Sequence, residues 1–571
     1  MLRKGLYPAN LIVLVVLVVL VVLLTAPLYA QGEQLAVTSA HRLATDAAVE
    51  IIRDGGSAAD AAFTTAAVLT IVQPWFSSVM GGGTWALYYD ADNQEVGALD
   101  GVGTAATGAT PEYFLQDRNA RRSGMHQAIV PGAWAGWMAW LEEYGQMDLD
   151  ELLQPAIEIA EAGYEVYGEM ATWLERGAGN IARWPYSRET YMPDGELLEL
   201  GDTVRQPRMA ETFREVQRVY RRNLPRGRAA ALQAANDYFY RGPISRSIVE
   251  YSDAHGGLFE LSDFTEFRTG LVDPISVEYR DITVYQNPPN SQGITMLMAL
   301  NILEGYDFSS YEVNSPEAIH LQAEAIKIAH ASKHRYVGDP EYVDVPVEEL
   351  LSETYAQEAR EMIRMDRALT WPFPQVIAEL ERSNTTTYSI VDNEGNGAAV
   401  TTSLGAQFLV AGPSGVHINN RMRMFYYGRG YANTVQPGKK VRHTSNPYIA
   451  MRNGELYILG GNTGVDTQPQ GQVQQFIGVV EFGLSAQEAV SRPRFITRAF
   501  PAGQWPFQAD NDLAMEAGTP DWLRNAMEDR GHVVVSGGIW GDAQMIVIYP
   551  ATGRMETGTD PRGGVGKGTV R

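Results

Sequence analysis

The run Thr385-Thr386-Thr387-Tyr388-Ser389 opens a β-hairpin at the point where helical patterns give way to strands. A threonine run at a strand start ordinarily reflects β-propensity alone. A threonine hydroxyl becomes a nucleophile only when a base takes its proton. The base always beside it is its own α-amine, available when threonine is a chain terminus. That amine titrates near ~7.7–8.0, so a useful fraction is unprotonated at neutral pH. Thr385 can therefore act this way only if the chain is cut after Asn384.

Other signatures carry less. Gly101-Val102-Gly103-Thr104-Ala105-Ala106 mimics a dinucleotide fingerprint, but Thr107–Pro111 reads as a loop, leaving a pyrophosphate no helix N-terminus. His330 and His334 stand at i, i+4 on a helical pattern, yet Ala331 occupies the place of a metalloprotease glutamate and no third ligand is near. No G-x-S-x-G elbow is present. Asn384-Thr385-Thr386 also fits a glycosylation sequon. No metal and no cofactor is expected.

The elements that must position Thr385 are legible. Helical patterns cover residues 45–54 with Thr45 as cap, 58–72 capped by Ser57, 149–162, 208–220, 315–336 and 346–363. Residues 58–72 are apolar on every side, so that helix must be covered on more than one face. Alternation marks strands at 84–89, 388–392, 397–403, 415–419, 448–452, 455–459, 533–536 and 544–549. Asn393-Glu394-Gly395-Asn396 turns the central hairpin. A helix-rich first part and a strand-rich second part predict an α+β chain whose halves share one sheet system.

Composition narrows the setting. The chain has 571 residues, 45% hydrophobic and 20% charged, and a net charge of −23 with a pI near 4.9. So acidic a surface repels phosphate backbones, and nucleic acid is excluded as a partner. With no cysteine, disulfides, thiolate metal sites and cysteine nucleophiles are absent. Arg3 and Lys4 precede an unbroken apolar run at 11–24, and small residues lead to Gln31. This predicts a signal peptide over 1–30 and a periplasmic or secreted protein, with membrane contact only if the segment is kept as an anchor.

Taken together, these segments resemble the gamma-glutamyltranspeptidase (glutathione hydrolase) family. "DGGSAADAAFTTAAVLTIVQP" (54–74) with "MGGGTWALYY" (80–89) is similar to its N-terminal helix and glycine loop. "NPPNSQGITMLMALNILEGYDF" (287–308) and "EAIKIAHASKHRYVGDPEYVDVP" (324–346) resemble central stretches. "TTTYSIVDNEGNGAAVTTSLGAQF" (385–408) is similar to the autoprocessing segment, and "AGPSGVHINNRM" (411–422) and "DPR" (560–562) also match. The resemblance implies an αββα four-layer sandwich of the N-terminal-nucleophile hydrolase type. One precursor would be cut between Asn384 and Thr385 into associated subunits, 31–384 and 385–571. Thr385 would be the nucleophile and Ser403 the hydroxyl that orients it, with Thr401 nearby. Thr463 and Gly464 would donate backbone N–H groups to the oxyanion.

The resemblance also implies departures. Val102 stands where the family holds the glutamyl α-carboxylate with an arginine, and His443 and Thr444 replace a serine pair. Gly405, Arg421 and Met424 replace the asparagine, glutamine and aspartate that hold the α-amine. Arg421 and Arg423 make the pocket more positive, which favours an acyl group carrying a carboxylate. A shorter segment between Phe425 and Pro447 predicts a more open site. The leading expectation is an exported, self-processing threonine amidohydrolase or acyltransferase acting on a small amide or peptide. True glutathione hydrolysis and an uncut, non-catalytic envelope binding protein are the alternatives.

Overall fold

The computed structural model describes residues 34–117, 123–371, 385–405, 407–501, 509–538 and 541–571. The expected signal segment and Asn384 lie outside the described residues. Among the described residues no helix is long and apolar enough to cross a membrane.

Two sheets carry the fold. The seven-stranded sheet runs, in spatial order, Lys567–Val570, Ala36–Ser39, β2 (Thr385–Val391), β3 (Gly397–Ser403), β1 (Gly83–Asp90), Glu95–Gly101 and Gly270–Val272. The six-stranded sheet runs Arg554–Thr559, Ala543–Tyr549, β4 (Glu455–Asn462), Tyr448–Arg452, Ile282–Gln286 and Ile275–Tyr279. Both sheets mix strands from before and after residue 385, so neither half of the chain completes a sheet alone. Side-chain alternation explains the layering, because successive residues of a strand point to opposite faces. Leu87, Tyr89, Val391 and Ala399 join Ile449, Leu459 and Ile546 in a core between the sheets. Their sequence neighbours Ala86, Tyr88, Ile390, Ala398 and Val400 pack outward against helices. On the far side Val284, Tyr448, Ile458 and Met545 do the same. Four layers result, helix–sheet–sheet–helix.

Three helices matter for the site. The first, α1 (Ala58–Val72), is buried throughout, and Ser57 and Asp60 close its N-terminus as a capping box. The second, α2 (Pro316–Tyr336), is capped by Ser315, and the third, α3 (Thr467–Val480), follows β4 directly.

Three sequence expectations change. The helix expected from Thr45 runs Arg42–Arg53, capped by the His41 side chain, and the Thr45 hydroxyl instead donates to Lys567 O. The helix expected over 346–363 is two, Val347–Leu350 and Glu353–Met362, because Ser352 caps a fresh start. Residues 415–419 form no strand, and only a Val410–His417 bridge remains there.

Candidate active site

The hairpin sets the first pair. Its turn places Thr385 and Ser403 directly opposite in the β2–β3 register, and Ser403 is also paired with Gly83 of β1. Thr385 Oγ1 lies 3.2 Å from Ser403 Oγ and accepts from Gln468 Nε2 at 3.3 Å. Gln468 stands in the first turn of α3, so the positive end of that helix faces the hydroxyl. Thr385, Ser403 and Gln468 are all buried. Thr401 lies two pairs deeper, where its hydroxyl meets that of Thr387 at 3.2 Å.

Arg421 reaches the same point from the turn Arg421–Met424. Its Nη1 donates to Ser403 Oγ at 2.8 Å and its Nη2 to Asn420 Oδ1 at 3.0 Å, while its Nε has no acceptor among the described residues. Arg421 is 2% exposed, and no carboxylate pairs with it among the described residues. Burial pushes it down to about 10. Gly405 permits this placement. Its φ is +101°, and a Cβ there would lie 1.8 Å from Asn420 Oδ1 and 2.9 Å from Arg421 Nη2. The glycine and the arginine therefore belong together.

His443 supplies a second unpaired donor. Its Nδ1 accepts from the Ser445 N–H at 3.3 Å, so Nε2 carries the proton, and Nε2 has no acceptor. Burial, reinforced by Arg421, holds the ring neutral. Nε2 lies against Gly83, the cross-strand partner of Ser403, 3.1 Å from where a Cβ would stand. The Thr444 hydroxyl is likewise buried and unpaired. Arg423 is half-buried in the same turn as Arg421.

The expected oxyanion pair is placed differently from its two members' expectation. The Thr463 N–H donates to Asp542 O at 2.8 Å and its hydroxyl accepts from the Asp542 N–H, so that residue is engaged. The Gly464 N–H, and the Val465 N–H after it, meet no acceptor among the described residues. Both precede the start of α3, a position whose backbone amides and dipole suit an anion. Sequence reasoning missed Val465 and Gln468; a strand, a glycine turn and a helix start in immediate succession were the available signal.

Val102 is fully buried in an apolar cluster with Met422, Met424, Phe425, Tyr427 and Val441. The segment 425–447 thus packs over Val102, and in the uncut chain Thr385, Ser403, Arg421 and His443 are buried, not open as its length suggested. His330 and His334 do not share a ligand position. His330 stacks on Phe500 at 4.0 Å, whereas His334 Nδ1 contacts the Tyr426 hydroxyl. Away from Thr385, His320, Glu324 and His532 could in geometry hold a metal ion. Their polar atoms are already paired, His320 with His532 and Glu324 with Lys327 and the Leu369 N–H.

Two sheets packed face to face between helical layers are the architecture of the N-terminal-nucleophile hydrolases. Within that class the family model for gamma-glutamyltranspeptidase matches residues 44–569, and the chain belongs to that family. It is 31% identical over 555 residues to the glutathione hydrolase proenzyme of Escherichia coli (strain K12), covering 93% of this chain and 91% of that one. To the acylase ACY 1 proenzyme of Pseudomonas sp. (strain SE83) it is 32% identical over 524 residues, covering 89% and 88%. The crystal structure of cephalosporin acylase from Bacillus halodurans superposes with a TM-score of 0.82 at 30% identity, covering 94% and 96%. The chain is a hydrolase or transferase of this family.

Proposed function

We propose that the protein is an exported proenzyme that cuts itself between Asn384 and Thr385. The new terminus then hydrolyses, or transfers, acyl groups that carry a carboxylate. The observation that carries the reading is the chain of contacts Arg421–Ser403–Thr385, a buried guanidinium without a counter-ion two hydrogen bonds from a strand-initial hydroxyl.

In processing, Thr385 Oγ attacks the Asn384 carbonyl carbon, the peptide C–N bond breaks, and the acyl group passes to oxygen. Water then hydrolyses the ester, leaving a carboxylate on Asn384 and a free amine and hydroxyl on Thr385. In turnover that amine takes the hydroxyl proton as Oγ attacks the substrate amide. The developing oxyanion is held by the Gly464 and Val465 N–H groups, and the proton passes to the departing amine. Water resolves the acyl-enzyme by the same base. Ser403, accepting from Arg421, donates its O–H in a hydrogen bond to Thr385 Oγ1; with Gln468 also donating, the threonine proton is left to the amine.

The acyl carboxylate takes the Arg421 Nε–H and the His443 Nε2–H, both buried and unpaired. A glutamyl group also bears a carboxylate, but its ammonium would need an acidic partner. None of Gly405, Arg421 and Met424 supplies one, and Arg421 repels it.

An SDS gel and intact-mass measurement of the purified protein, with Thr385→Ala beside it, test the reading. Two pieces for wild type, the smaller starting at Thr385, and one for the variant are expected. An intact 384–385 bond in material that turns over amides refutes it. On a panel of glutaryl, succinyl, oxamyl and γ-glutamyl amides the first three should lead; strong saturable γ-glutamyl turnover refutes the pocket assignment.

A further inference from the structure

We propose that Gln292 is the positioning residue of the oxyanion turn, with the Lys333–Asp466 pair as its brace. This rests on the assignment of Gly464 and Val465 as the oxyanion donors. Gln292 is buried, and its Nε2 donates to Val465 O and to Thr444 O, each at 2.7 Å. Its Oε1 accepts from Lys333 Nζ at 3.3 Å, and its backbone N–H donates to His443 O at 3.0 Å. One side chain thus clasps the turn assigned to the oxyanion to the segment His443-Thr444 assigned to the acyl group.

The geometry leaves the amide no alternative orientation. Two carbonyl oxygens require the NH₂ end and an ammonium requires the oxygen end. Lys333 of α2 is itself fully buried and pairs with Asp466 Oδ1 at 2.5 Å, and Asp466 stands immediately before the first residue of α3. The brace therefore holds two successive residues of the short stretch Gly464–Asp466: Gln292 fixes the carbonyl of Val465, and Lys333 fixes the side chain of Asp466. Backbone N–H groups cannot be aimed by their own side chains, so their direction depends on what holds the neighbouring carbonyls. With Val465 O fixed, the peptide plane it shares with the Asp466 nitrogen is fixed, and the preceding turn has little freedom to rotate. None of Gln292, Lys333 and Asp466 touches Thr385 in this network, so their effect is on the turn and not on the nucleophile.

A turn displaced by a fraction of an ångström weakens transition-state binding and spares ground-state binding. The test uses the full-length protein after processing, with Gln292→Met, which keeps the bulk, and Gln292→Glu, which keeps an acceptor for Lys333 but loses both donors. Expected for each is a kcat loss of about 10- to 100-fold with KM within about threefold. Affinity for a boronic acid that forms a tetrahedral adduct on Thr385 should fall by the same factor, and affinity for the product carboxylate should not. Loss appearing in KM, equal weakening of boronate and product, or kcat within twofold of wild type overturns the proposal. If the Gln292 variants do not fold, Lys333→Met serves, with a kcat loss of about 3- to 10-fold expected and an unchanged kcat decisive against. Thr385→Ala separates the two levels: residual cutting or turnover there sinks the underlying assignment, whereas an inert Thr385→Ala with a fully active Gln292→Met sinks the positioning role alone.

Discussion

Arg421→Met tests the pocket's selectivity, read as a ratio of two substrates because Arg421 also holds Ser403 and so affects the turnover of both. Burial lowers the guanidinium well below its ordinary value, to about 10, which at ~1.36 kcal/mol per pH unit is on the order of 3 kcal/mol of unfavourable charge burial. A bound carboxylate relieves that cost. An acyl group with a terminal carboxylate should therefore be preferred over its neutral isostere by ~3 kcal/mol, or roughly 100-fold in kcat/KM. Distance limits the class. The contacts of 2.8 Å and 3.2 Å laid end to end put Arg421 Nη1 within 6.0 Å of Thr385 Oγ1. That suits the short oxamyl, succinyl and glutaryl chains. Succinyl- and butyryl-p-nitroanilide form the assay pair. The wild type should favour the succinyl compound about 100-fold, and Arg421→Met should bring the ratio near one. Stability should move the other way, because the substitution removes the buried charge at the expense of two hydrogen bonds of about 1 kcal/mol each. A melting temperature equal to or above wild type is expected. A preference that survives in Arg421→Met, or a succinyl loss matched by an equal butyryl loss, refutes the reasoning.

Two more outcomes follow. Gly405→Ala places a methyl on Asn420 Oδ1 at a φ of +101°; unfolding measurements should show a loss of about 1–3 kcal/mol or more, with the carboxylate preference reduced alongside. The pH profile should be a bell: activity rises as the Thr385 amine loses its proton near ~8, and falls as Lys333 does. Burial lowers Lys333 to about 8, opposed by Asp466 and aided by Arg442, with neutral His330 alongside. Between about 8 and 10.5 the unfolded chain holds the Lys333 proton and the native state does not, so this group adds stability with rising pH while kcat declines. Lys333→Met should remove the falling limb; a limb unchanged in that variant assigns it elsewhere.

Local pattern determined a great deal. The turn Asn393–Asn396 and the alternation on either side made the hairpin legible, the family resemblance singled out Ser403, and the structure set it directly opposite Thr385. The all-round apolar helix at 58–72, its serine cap, and the outward and inward faces of the strands were legible for the same reason: periodicity is a property of neighbouring residues. Arg421 and His443 were visible as substitutions of chemical type. What only the tertiary structure decided is which of their atoms are left unpaired, since Arg421 Nε and His443 Nε2 are orphaned by contacts with Ser403, Asn420 and Ser445 that follow from packing. The same holds for Gln468 beside Thr385 and Gln292 beneath Val465, pairs separated by 83 and 173 residues. Least legible were the backbone amides proposed as oxyanion donors. Every residue but proline carries a backbone N–H, so residue type does not reveal which amides stay unengaged, and only the closed fold leaves those of Gly464 and Val465 without an acceptor among the described residues.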